Sequence, residues 1–130
     1  MIFKLFHAKL NTGGKTAEQI KNEFEGYAPS NEEVQRWIKA YDLINGLEVV
    51  VMASMRENSY SLVGWDEKDD DKFREYTYLV EQDPLFGSYI DNYEGFIADW
   101  GMDEYCSSVS LCFDGSDLEI IERLKTKSEQ

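Results

Sequence analysis

Histidine is almost missing from this 130-residue chain, His7 being the only one. A zinc site built on several histidines is thereby excluded, and two cysteines, Cys106 and Cys112, are too few for a thiolate cage. On a shared strand they would lie about 20 Å apart at roughly 3.3 Å per residue, too far to bridge, so both read as free thiols. No run of about 18 apolar residues is present to cross a membrane as a helix. The opening MIFKLFHAKLNTGGK also lacks the longer apolar core and small-residue cleavage site of a secretory signal. The expectation is a soluble cytoplasmic protein. Basic residues are scarce as well, 13 Lys and Arg against 26 Asp and Glu, for a net charge of −13. Proteins that bind nucleic acid directly use Lys and Arg to displace counterions, and anionic membrane surfaces demand the same, so neither is expected as a partner.

What the chain does have is acid, unevenly placed. Residues 1–60 carry 8 acids and 7 bases, whereas residues 61–130 carry 18 and 6; within 61–104 alone there are 13 acids and 3 bases. A field of this sign steers basic partners over long range. With 42% hydrophobic residues the chain can bury one core without disulfides or metals, which predicts a single acidic domain over 1–130, its 1–57 half charge-balanced and its 58–130 half acidic.

Capping boxes predict three helix starts, at Thr16 with Gln19, Ser30 with Glu33, and Ser116 with Glu119. The first stripe is Ala17, Ile20, Phe24 and Tyr27. The second is Val34, Trp37, Ile38, Tyr41 and Ile44, with Asn45-Gly46 as a stop, and the third is Leu118, Ile121 and Leu124. Strands are predicted over Ile2 to Leu10, over Leu47 to Ala53 (LEVVVMA, apolar on both faces and therefore central), and over Ser59 to Trp65 (SYSLVGW), which pairs with it. A further strand is predicted over Tyr105 to Phe113 with its odd-numbered face buried. Between them, Asp69, Asp70 and Asp71 followed by Phe73, Tyr76 and Val80 suit a helix whose N-terminal dipole is matched by acids, although Tyr76 to Val80 also suits a strand. The coarse result is an α+β domain, a small, mainly antiparallel sheet packed with three to four helices.

Most candidate chemistry fails on spacing. Asn11 to Thr16, NTGGKT, stands between a strand and a helix and ends like a phosphate-binding loop, but the glycine required five positions before the Gly-Lys pair is Lys9. A turn leading into Thr16 explains the same residues. An EF-hand loop from Asp66 would place Lys68, Asp70, Asp71 and Thr77 at its later ligand and turn positions, without the glycine of the turn; one from Asp91 meets Tyr93 and Gly95. His7 with Cys106 or Cys112 could be drawn as a nucleophile pair, but nothing in the sequence places them together. No catalytic residue, metal ligand or cofactor is assigned.

The acids therefore read as a surface. In IDNYEGFIADWGMDEY, residues 90–105, acids alternate with aromatics and no base intervenes. Carboxylates at phosphate-like spacing on an aromatic-supported scaffold could occupy a groove built for DNA, which carries about one charge per 1.7 Å of duplex axis. From Asn58 to Tyr105, about a third of the chain, the sequence resembles a domain of the ArdA antirestriction family, DNA-mimicking proteins of plasmids, transposons and phages. The resemblance is carried by Ser61-Leu62-Val63-Gly64-Trp65, by the acid-rich segment after it, by Ile90-Asp91-Asn92-Tyr93-Glu94-Gly95-Phe96 and by Asp103-Glu104-Tyr105. It implies a non-enzymatic inhibitor, made by a phage or mobile element and acting in the host cytoplasm. The inhibitor would block the nucleic-acid-binding surface of a host defence nuclease complex, whether restriction enzyme or CRISPR effector. The phosphate surrogates would be Asp66, Glu67, Asp69, Asp70, Asp71, Asp91, Glu94, Asp99, Asp103 and Glu104. An immunity protein that neutralises a basic nuclease toxin is the alternative, and a small enzyme or ligand-binding domain centred on Gly13-Gly14-Lys15-Thr16 is a third class. The sequence leaves a homodimer open.

Overall fold

In the computed structural model the residues described are 4–24, 26–53, 58–80 and 112–124, with the backbone of 88–90. They form an α+β fold with strands β1 (Leu5–Leu10), β2 (Glu48–Ala53), β3 (Ser59–Asp66), β4 (Ser88–Ile90), β5 (Cys112–Asp114) and β6 (Leu118–Leu124). The helices are α1 (Ala17–Asn22), α2 (Asn31–Ile44) and α3 (Asp70–Leu79). One sheet runs β4-β3-β2-β1-β6, with β5 pairing β3 beyond the β4 contact. Only the β3–β4 pair is parallel among the described strands. No helix among the described residues is long and apolar enough to cross a membrane.

β2 holds the centre, as its two apolar faces require. Val49 and Val51 face the helices, in one core with Ala8, Leu10, Leu62, Trp65, Ile20, Val34, Ile44 and Phe73. Val50 and Met52 are buried on the opposite face, where Met52 is opposite Leu5 and Leu5 opposite Leu124. Burial on both faces is what an uninterrupted Val-Val-Val-Met run demands, since each exposed apolar side chain would forgo about 1.5–3 kcal/mol of burial. In β3 the register passes from Val50 opposite Gly64 to Val51 opposite Leu62, which leaves Val63 as the extra residue of a bulge. That insertion lets Leu62 and Trp65, three apart, point to the same core.

The helix starts behave as their hydroxyls predict at two of three places. Thr16 accepts from the Gln19 amide while Gln19 reaches back to the Thr16 amide, and Ser30 accepts from the Glu33 amide. α1 is shorter than its apolar stripe: it stops at Asn22, and Phe24 and Tyr27 lie beyond it. Gly26 there takes a φ of +87°, a conformation that cannot continue a helix. Phe24 still packs edge-to-face on Trp37 and Tyr27, and the Tyr27 hydroxyl donates to Glu33. α2 ends where Asn45-Gly46 predicts, with Gly46 at φ +83°.

The third expected helix is not one. Gly115–Asp117 is a 3-10 turn, and Leu118 leaves it at φ −129°, ψ 146°, to begin β6. Pairing to β1 outweighs the capping signal, because the outer edge of β1 needs a partner and Ile120-Ile121 are β-branched. The spacing misleads through another bulge: His7 faces Glu122 and Ala8 faces Ile120, so Ile121 is the extra residue, and Leu118 and Leu124 are buried on opposite faces of the sheet. α3, by contrast, is a helix over Asp70–Leu79, burying Phe73, Tyr76 and Thr77. Of the strand expected over Tyr105 to Phe113, only its end is described; there Phe113 is buried and Cys112 exposed.

Candidate acidic interface

The acids of residues 66–71 occupy one corner, where β3 leaves the sheet, passes a 3-10 turn over Glu67–Asp69 and enters α3. Their roles differ. Asp66 caps the turn, accepting the Lys68 amide at 3.1 Å. Asp70 accepts the indole N–H of Trp65 at 3.0 Å, and the Arg74 guanidinium lies 3.4 Å from the same oxygen. Trp65 is fully buried and stacks on Phe73, centroids 4.7 Å apart, so the corner is fixed to the core through Asp70. Asp69 is only 7% exposed, and although it stands at the N-cap of α3 it makes no capping bond. Glu67 and Asp71 are exposed. Two of these five acids are thus fully displayed, while Asp66 and Asp70 also fasten the corner. Asp91, Glu94, Asp99, Asp103 and Glu104 lie outside the described residues.

Beside this corner is a recess of about 170 Å³ lined by Gly46, Leu47, Glu48, Asp66, Lys68 and Asp69. It sits where the α2–β2 corner meets the end of β3. The pairing of Val49 with Trp65 makes Glu48 and Asp66 cross-strand neighbours of like charge. His7 Nε2 lies 3.4 Å from Glu48. His7 is on β1 and Cys112 on β5, strands that do not pair, so the structure does not join them as a nucleophile pair.

The NTGGKT turn carries a different design from a phosphate loop. The amides of Thr12 and Gly13 donate to Asn45 Oδ1 at 2.9 and 3.0 Å, and the Gly14 amide donates to Asp42 at 3.1 Å. Thr12, fully buried, donates its hydroxyl to the Tyr41 carbonyl. The donors that would wrap a phosphate are engaged by the protein's own oxygens, and the turn is pinned to the end of α2. The EF-hand reading from Asp66 meets a helix instead of a loop, with Thr77 Oγ1 donating to the Arg74 carbonyl.

A polar cluster that no local motif signals surrounds Lys15. Its ammonium lies 2.5 Å from Glu23 and 2.9 Å from Asp117, and 4.8 Å from the centre of the Tyr41 ring. Burial works to lower the Lys15 pKa, but the hydrogen bonds to Glu23 and Asp117 outweigh it and hold the group above its ordinary value. The hydroxyls of Tyr41 and Tyr76 are pushed far up, chiefly by burial and further by the charges of Glu23 and Asp117. Glu23, Asp114 and Asp117 bring carboxylate oxygens within 4.8 Å of one another, a spacing a cation could bridge, and the Lys15 ammonium already serves two of the three. These residues come from α1's end, β5 and the following turn; only the sheet topology brings them together.

No protein-family model, no curated protein and no solved structure matches the chain.

Proposed function

We propose that this protein is a non-enzymatic inhibitor whose acidic half covers the nucleic-acid-binding surface of a host defence nuclease complex, standing in for DNA. The observation that carries the reading is the concentration of 13 acids against 3 bases within residues 61–104. Those acids include a corner, residues 66–71, that is anchored to the core by the Trp65–Asp70 bond and displays Glu67 and Asp71. Displaying like charges together costs stability, and a rigid anchor keeps them presented in a fixed array. The resemblance of residues 58–105 to the ArdA family supports the same reading, including an origin in a phage or mobile element.

The test is competition. Purified protein is titrated into restriction and CRISPR complexes bound to labelled DNA. Release of DNA is expected from at least one complex, weakening as salt rises, because screened charges dominate the contact. Glu67→Lys combined with Asp71→Lys should weaken that release while leaving the fold intact. Competition insensitive to salt, or none from any complex, overturns the proposal.

A further inference from the structure

We propose that Asn45-Gly46 is a modification site, an asparagine–glycine bond able to cyclise on itself, which the folded corner between α2 and β2 holds shut and which opening of that corner converts permanently. Glycine is the successor that hinders this reaction least, because no Cβ shields its amide nitrogen. The Gly46 nitrogen attacks Cγ of the Asn45 carboxamide, the new N–Cγ bond closes a succinimide ring, the Cγ–Nδ2 bond breaks, and the Gly46 amide proton departs with that nitrogen as ammonia. Water then opens the ring at either carbonyl, giving aspartate or isoaspartate. Both residues are exposed, so water has access. The proposal does not depend on the function proposed above.

Both reacting groups are engaged elsewhere in the fold. The Gly46 N–H donates to the Leu10 carbonyl at 2.8 Å, and the Leu10 N–H returns a bond to the Leu47 carbonyl at 2.9 Å, so the nucleophile is tied to the end of β1. The carboxamide is held as well, its Oδ1 accepting the Thr12 and Gly13 amides at 2.9 and 3.0 Å. A Cβ on Gly13 would lie 2.7 Å from Asn45 Nδ2 and 2.8 Å from Cγ, so the absence of a side chain there gives the carboxamide its seat. Ring closure must strip the Gly46 proton from its bond to Leu10 and swing the carboxamide off both amides. Loss of these bonds, each of ordinary strength, slows it about a hundredfold. The product cannot rebuild the corner: isoaspartate routes the main chain through the former side chain, adding a backbone carbon just before Gly46, where φ is +83°.

The experiment incubates the full chain at mildly alkaline pH, native and in urea. The peptide holding Asn45 is followed by mass spectrometry for amide-to-acid conversion and by enzymatic methyl transfer to isoaspartate. The unfolded chain should convert readily and the folded chain about a hundredfold more slowly. Gly13→Ala, whose methyl displaces the carboxamide from its seat, should raise the rate in folded protein about tenfold, with calorimetry reporting that the fold is kept. Should that variant fail to fold, the unaltered chain in urea below its unfolding transition gives the second reading, a rate that rises as the corner opens more often. Folded conversion within about threefold of the unfolded rate overturns the proposal. So does a folded Gly13→Ala protein that converts as slowly as the original, a native rate indifferent to urea, or an unfolded chain in which Asn45 resists conversion.

Discussion

Replacing Lys15 by methionine keeps the length of the stem and removes the ammonium from between Glu23 and Asp117. The side chain of Asp117 is 8% exposed and that of Glu23 27% exposed, so the two bonds are not equivalent. The bond to Asp117 falls in the range of charged hydrogen bonds and contributes about 2 kcal/mol; that to Glu23, more open to solvent, about 1 kcal/mol. The cation over the Tyr41 ring adds about 0.5 kcal/mol, and the relief of desolvating the lysine offsets a similar amount. Lys15→Met should therefore destabilise the fold by about 3 kcal/mol, leaving Asp117 as an uncompensated charge. With an unfolding entropy of roughly 2.1 cal/mol/K per residue, a chain of 130 residues loses about 10 °C in Tm. Asp117→Asn on the Lys15→Met background removes the orphaned charge and should restore about half of the loss. The assay is differential scanning calorimetry of both single variants and the double variant as a mutant cycle. A Tm drop below about 3 °C for Lys15→Met, or a cycle with no coupling, would mean that Lys15 is an ordinary surface ion pair and that the reasoning is wrong.

Other expectations can be checked by similar means. The hydroxyls of Tyr41 and Tyr76 have folded pKa values raised above 10.0, whereas in the unfolded chain they ionise near it. Their contribution to stability is thus full below pH 10.0 and is lost as pH rises beyond it, so at least two of the eight tyrosines should ionise only as the protein unfolds, read by tyrosinate absorbance. Reversible ionisation of all eight near pH 10.0 in the folded protein would contradict this. Asn45→Ala strips the acceptor from the Thr12 and Gly13 amides and should cost about 1–2 kcal/mol in urea unfolding, while Asn45→Asp, which retains the oxygen, should cost less. Asp70→Lys orphans the buried Trp65 N–H and should destabilise by about 1–3 kcal/mol, whereas Glu67→Lys with Asp71→Lys should change stability by about 0.5 kcal/mol or less.

The elements that reveal themselves in the sequence are those whose signals are local. The apolar LEVVVMA run marks β2 as central because burial on both faces needs only its own residues to be apolar, and Ser30 with Asn45-Gly46 brackets α2 because caps act within one turn. The misleading segment is 118–124. A bulge inserts one residue and shifts the two-residue period of a strand, so that apolar side chains three apart imitate a helix; Leu62 and Trp65 carry the same signature in β3. Nothing within the segment indicates that β1 waits beside it. The candidate site divides in the same way. The acid run 66–71 is plain in the sequence, but the division between displayed Glu67 and Asp71, anchoring Asp70 and buried Asp69 depends on how β3 meets α3. The Lys15 cluster is not legible as a whole because, although Glu23 reaches Lys15 from the nearby end of α1, Asp117 is brought to it only by the pairing of β6 with β1.

Trp65 gives the protein a built-in optical reporter. Its indole is buried against Phe73, yet its N–H is held by a carboxylate of the very turn that presents Glu67 and Asp71. A partner that draws Asp70 outward or neutralises it alters the polarity and hydrogen bonding of that indole, and emission from a sequestered tryptophan shifts with both. Engagement of the acidic corner can then be followed by intrinsic fluorescence without attaching a dye to the charged surface, and Trp65→Phe identifies which part of the signal belongs to it.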